Sequence, residues 1–147
     1  MTLARPDLAE LALEGVLAAE RYRAVTPMQG VLPVTPVRAE ADDASPLLDQ
    51  LVFGEIFDVL EVTGGRAWGR SRRDGVVGHA PLDALTEEIL EPTHRVCSVD
   101  TPILDAPVFD QVSGSQPVVL ALNALVTVLE TQPRCAMRAK DILVPRT

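Results

Sequence analysis

The sequence predicts a mainly β protein, two small barrels in tandem behind a short N-terminal helix. Three observations point there. Twelve prolines in 147 residues interrupt the chain too often for long helices. Short apolar runs flank Gly64-Gly65 and Asp74-Gly75, both two-residue hairpin signals. Pieces of the first half then recur, weakly, in the second. Hydrophobic residues make up 47% of the chain, enough for a buried core. With aromatics at only 3%, that core must be built from Val, Leu, Ala and Ile.

Residues 1–23 read as a helix packing on the first barrel. Pro6 stands near its start, and Asp7 with Glu10 three residues on forms a capping-box-like pair. Leu8, Leu11, Ala12, Val16 and Ala19 recur at helical spacing, and Gly15 permits close approach to the partner surface. Arg21 and Arg23 close the segment, where cations suit the negative end of the helix dipole. So short a helix needs something to pack on.

Residues 24–88 form the first expected barrel. Val31-Leu32-Pro33-Val34 and Pro36-Val37-Arg38 are proline-broken pieces of an edge strand, and residues 39–46 an exposed loop. Strands follow at 47–53, 55–62 and 66–72, with Val76 and Val77 after the second hairpin signal. Residues 81–85 read as one helical turn closing the unit. Five or six short strands with tight hairpins suit a small barrel. Residues 87–92 are a hinge. The second barrel, 89–147, opens at Arg95-Val96-Cys97-Ser98-Val99 and carries a long loop over 110–117. Its echoes of the first are Thr127-Val128-Leu129-Glu130 for Asp58-Val59-Leu60-Glu61, 134–138 for 66–70, and Val144-Pro145 for Ala80-Pro81.

Several functions are argued against by the residues themselves. A formal net charge of −8 opposes binding to phosphate backbones, so nucleic acid is not expected as a partner. No signal peptide and no stretch of membrane-spanning length is present, which favours the cytoplasm and leaves non-classical export open. Cys97 and Cys135 lie in apolar stretches and are expected as buried structural thiols. His79 and His94 are the only histidines, and no spacing gathers the three or four ligands of a metal site. His94 and Cys97, three apart on a strand, point to opposite faces and make no nucleophile pair. Asp42-Asp43 and Glu87-Glu88 read as solvated loop charges, and Gly64-Gly65 has no helix after it to make a phosphate loop. No cofactor is expected.

The stretches Leu51-Val52-Phe53-Gly54-Glu55-Ile56-Phe57-Asp58-Val59-Leu60, Gly65-Arg66-Ala67-Trp68-Gly69 and Asp74-Gly75-Val76-Val77-Gly78 resemble a bacterial SH3 domain. More narrowly, they resemble the first barrel of NlpC-type cell-wall cysteine peptidases, the dipeptidyl-peptidase VI class. Ala4-Arg5-Pro6-Asp7-Leu8-Ala9 with Arg21-Tyr22 looks like that group's N-terminal helix, and Thr93-His94-Arg95-Val96 like the start of its second barrel. In that family two barrels precede a peptidase domain that opens with cysteine in an Asp-Cys-Ser-Gly context, and Cys97 has no such context. The resemblance thus implies the accessory half of such an enzyme, without catalysis. It departs at Arg66 and Val76, where the family usually has an aromatic and a tyrosine in or beside its ligand groove.

The expected binding surface centres on Glu55, Phe57, Arg66, Trp68, Arg70, Asp74 and His79, from strand alternation and family position. Alternation puts Arg66, Trp68, Arg70 and Arg72 on one face and Ala67, Gly69 and Ser71 on the other. If the small residues face inward, Trp68 stands outside as an interface anchor, and Arg66 and Arg70 hold carboxylates. In the alternative, Trp68 packs under the N-terminal segment or between barrels, covered by arginine stems. Three roles follow: a module recognising cell-wall peptide or a protein partner, an accessory subunit of a separately encoded NlpC-type endopeptidase, or a structural piece of a larger assembly.

Overall fold

A computed structural model describes residues 1–103 and 117–128, and the backbone of 142–143. The expected helix over 1–23 does not form. Strand β1 (Ala9–Glu10) runs parallel to β2 (Tyr22–Arg23), with only a 3-10 turn, Leu11–Leu13, between them. The helical stripe is not realised, because Leu8 is buried while Leu11 and Val16 are exposed. Gly15 adopts φ +79°, which interrupts any helix through that point. Leu3 and Leu8 instead bury against Leu60 and Trp68. Each such burial stabilises by roughly 1.5–3 kcal/mol, more than helical propensity offers a segment this short.

The central sheet comprises β3 (Thr26–Gly30), β4 (Val34–Arg38), β5 (Leu47–Val52), β6 (Ile56–Thr63), β7 (Arg66–Ser71), β8 (Val77–Pro81) and β9 (Leu85–Thr86). Its order is β5-β4-β8-β7-β6-β3-β9, with antiparallel neighbours throughout. The edge strands β5 and β9 do not pair with each other, so no ladder closes the sheet into a barrel. Both expected hairpins are present: β6 turns into β7 at Gly64-Gly65 and β7 into β8 at Asp74-Gly75, all three glycines with positive φ. The expected helical turn is a 3-10 turn at Leu82–Ala84.

The alternation of β7 divides two cores. Ala67 points into a cluster of Met28, Val37, Leu51, Phe57, Val59 and Ala80, while Trp68 on the other face joins Leu3, Leu8 and Leu60. The β6–β7 register shifts between Val59 and Glu61. This irregularity lies beside Leu60, whose side chain joins Trp68 while Val59 stays in the first core.

Beyond the central sheet lie β10 (His94–Arg95), β11 (Asp100–Ile103), β12 (Val118–Ala121), β13 (Leu125–Val128) and β14 (Ile142–Leu143). They form a three-stranded sheet, β10-β13-β14, and a β11–β12 pair. The repeat partners expected at 129–138 and 144–145, Cys135, and residues 110–116 of the expected long loop lie outside the described residues. Cys97 is a free thiol and is exposed, contrary to the expected burial. Its neighbour Val96 takes the inward position, packing with Leu120, Ala124 and Val126.

Phe53 packs in this second cluster although it follows β5. The Leu125 amide donates to the Phe53 carbonyl at 2.8 Å, and a Cβ on Gly54 would lie 2.8 Å from that of Leu125. Residues 87–92, expected as a hinge, are held at Leu90. The buried Gln29 amide donates to the Leu90 carbonyl at 3.0 Å and accepts from the Leu90 amide at 2.9 Å.

Candidate ligand-binding cleft

Where the two sheets meet, a cavity of about 270 Å³ is lined by Glu55, Ile56, Arg72, Arg73, Arg95, Asn123 and Leu125. Three short features of the chain build it. Asp74 starts the β7–β8 hairpin by accepting from the Val76 amide at 3.2 Å, and Gly75, with φ +77°, completes the turn. Arg72 and Arg73, just before this turn, thereby reach over the end of the sheet. Opposite them, Asn123 holds φ +73° at the turn before β13, a conformation asparagine tolerates better than most side chains.

Two of the three arginines are already engaged. Arg72 donates to both oxygens of Asp58, which is buried. Arg73 reaches Glu55 at 2.8 Å, Asp74 at 3.0 Å and Asp49 at 3.2 Å. The second Glu55 oxygen accepts from the Val52 amide at 2.9 Å. Burial pushes the Glu55 carboxyl above its ordinary range despite these partners. Asp74 behaves oppositely: burial pushes it up, but hydrogen bonds from Arg73 and the Val76 amide more than offset this and leave it low. Arg95, by contrast, makes no ion pair or side-chain hydrogen bond with any described residue.

The cleft suits an anion. Among its described lining residues the one carboxylate has both oxygens occupied, and Arg95 is left as an unpartnered planar donor. Its described lining side chains include no thiol, hydroxyl or imidazole. Among the described residues no group of three or more His, Cys, Asp and Glu side chains is placed to hold a metal ion.

The residues anticipated from sequence separate into different surroundings. Glu55 and Asp74 meet on Arg73. Phe57 is fully buried in the first core. Trp68 is 5% exposed and lies beneath Leu3 and Leu8, with the Arg5 guanidinium 4.1 Å from its ring centroid. It is therefore the covered tryptophan of the alternative given above, under an irregular strap rather than a helix. Arg70 pairs with Glu10 of that strap at 2.9 Å. The His79 Nδ1 lies 3.2 Å from the Ala39 carbonyl. Arg66 pairs with Asp43 at 2.6 Å beside a second, wider groove of about 800 Å³ that includes Leu32, Leu82 and Asp83. Arg72, Arg73, Arg95 and Asn123 were not anticipated as a site. The Arg-Arg pair beside the Asp-Gly turn was a usable signal for two of them.

The paired glycine and Asp-Gly hairpins and the 3-10 turn at Leu82–Ala84 all fall in one stretch of chain. Residues 37–85 match the family model of the bacterial dipeptidyl-peptidase SH3 domain. This bacterial SH3 match runs from the end of β4 to the first residue of β9 and covers about a third of the chain. It contains every site residue anticipated from sequence, together with Arg72 and Arg73. Arg95, Asn123 and Leu125 lie beyond it. No curated protein matches the chain. No helix among the described residues is long and apolar enough to cross a membrane.

Proposed function

We propose that this chain is a non-catalytic recognition module that binds cell-wall peptide in the cleft between a first unit, residues 24–88, and a second, residues 89–147. The carrying observation is the cavity itself: three arginines line it, Arg95 among them uncommitted to any described residue, and one wall comes from the segment that matches the bacterial SH3 model. Small, partly enclosed clefts with a few fixed polar groups are the usual form of such sites. The family's association with peptidases supports a peptide as the ligand. Two relations to the wall are compatible with this role, so both intact peptidoglycan sacculi and soluble stem peptide belong in the test. The purified protein should co-sediment with sacculi at low salt, and Ile56→Trp, which fills the cleft, should abolish this. Arg66→Ala, outside the cleft, should leave it intact. Failure of the wild type to bind sacculi or soluble stem peptide overturns the proposal.

One observation favours a second role, docking on a separately encoded NlpC-type catalytic chain. The edge strand β5 exposes Leu47 and Leu48 beside an unpaired backbone edge, a surface suited to strand addition. Pull-down of a purified NlpC-type catalytic domain by the wild type, lost on Leu48→Lys, would support that role. Retention of such a domain by Leu48→Lys would exclude β5 as the docking edge.

A further inference from the structure

We infer that the cleft takes a free carboxylate group of its ligand, and that Arg95 is the residue that anchors it. This deepens the recognition role proposed above and rests on it. The charges around the cavity are unevenly committed. Asp58 holds Arg72 in a two-pronged pair, and Glu55, Asp49 and Asp74 converge on Arg73. Those two guanidiniums are fixed in place and fully committed, Arg73 being shared by three carboxylates. Among the described residues every other arginine side chain has a hydrogen-bonding or ionic partner: Arg23 the Leu60 carbonyl, Arg38 the Ser45 carbonyl, and the rest a carboxylate. Arg95 alone among them has none, and it lines the cavity from the opposite unit.

Four considerations select the ligand group. A guanidinium offers a planar fork that matches the two oxygens of a carboxylate. A cationic group finds no free acceptor on the one carboxylate among the described lining residues, because Glu55 spends both oxygens on Arg73 and the Val52 amide. A phosphate dianion calls for more than one uncommitted cation, and the described lining residues supply one. The cavity of about 270 Å³ corresponds to on the order of nine water volumes, room for a terminal residue rather than a bulky chain. The Asn123 side chain adds an amide to the same wall.

The test uses calorimetric titration with the stem tetrapeptide Ala-D-Glu-Lys-D-Ala, compared with the same peptide carrying amides in place of both carboxylates. The free acid should bind the wild type on the order of ten- to a hundredfold more tightly, the range expected for a charge-assisted pair. Arg95→Gln should remove that difference, weakening the free acid and leaving the amidated peptide unchanged, while Arg95→Lys should restore part of it. Inorganic phosphate at the same concentration should not compete. Equal binding of both peptides, an equal loss for both in Arg95→Gln, or competition by phosphate overturns the carboxylate assignment and leaves the recognition role standing. If neither peptide binds and sacculi do not pellet the protein, both fail. Unchanged far-ultraviolet circular dichroism and an unchanged urea midpoint verify that the variants are folded.

Discussion

Gly54→Ala is the sharpest probe of how the two units are joined. Gly54 has φ +83°, and a Cβ there would meet the Leu125 carbonyl oxygen well inside van der Waals contact and its carbonyl carbon at 2.9 Å. Both obstacles belong to the backbone or its first side-chain atom, so neither can rotate away. Three terms follow from the structure. A left-handed conformation costs alanine about 1–2 kcal/mol. Displacing β13 forfeits the Leu125-to-Phe53 hydrogen bond, about 0.5–1.5 kcal/mol. It also half-exposes the Phe53 ring, whose full burial contributes roughly 1.5–3 kcal/mol. The sum is about 2–5 kcal/mol. Gly64→Ala is the matched control: φ is +57° there, and nothing lies within 4 Å of the new methyl. Its cost is confined to the backbone term, roughly 1 kcal/mol. Urea unfolding should be followed by emission of Trp68, in the core beside the strap, and by far-ultraviolet circular dichroism. The Gly54 variant should lose stability well beyond the control, with its two transitions drawn apart. Equal midpoints for the two variants would mean that the units are not locked at this point.

Three further outcomes are expected. Leu8→Ala should cost about 2–5 kcal/mol and shift Trp68 emission to the red, because the strap is the cover of that ring; an unshifted spectrum would contradict this. Phe53→Ala should cost about 3–5 kcal/mol by urea denaturation, and a cost near zero would deny its place in the second core. Glu55 and Asp74, which share Arg73, should titrate in opposite senses. Asp74 is lowered on folding, so its contribution exists above its unfolded pKa and is lost as pH falls through the folded one. The stability gap between wild type and Asp74→Asn should therefore shrink on acidification from about pH 5. Glu55 is raised, so its contribution is present below the unfolded pKa and lost as pH rises through the folded one. For Glu55→Gln the wild type should accordingly lose ground as pH rises from about 4, and parallel trends for the two variants would refute the assignment.

The parts of this fold that were legible in the sequence are those that local chemistry decides. Gly64-Gly65 and Asp74-Gly75 mark their turns because few other residue pairs adopt positive φ so readily, and the alternation along β7 sorts its two faces correctly. The N-terminal segment was misjudged because its spacing fits a helix, while Leu3 and Leu8 have a better partner in Trp68, far away in sequence. The same long-range contact buried the anticipated interface tryptophan. Phe57 was likewise expected at the binding surface, yet packing places it wholly in the core. Glu55 and Asp74 were expected from strand alternation and family position, and both meet Arg73. Their common partner Arg73, and Arg95 across the cleft, depend on how two sheets are juxtaposed, which no short window of sequence encodes.

The placement of Phe53 bears on how such a chain can be divided or recombined. The obvious seam lies at residues 87–92, yet among the described residues the aromatic ring of the second core is Phe53, which precedes it. A gene cut at that seam would deliver one product with a phenylalanine facing water and another with a hole among Val96, Leu120, Ala124 and Val126. Among the described residues, neither half carries a complete inventory of its own interior. Grafting the second half onto a different bacterial SH3 segment therefore requires an aromatic side chain, followed by glycine, at the exit of the corresponding strand. That two-residue signature, Phe53-Gly54, is a compatibility key that a search for fitting fusion partners can read directly from sequence.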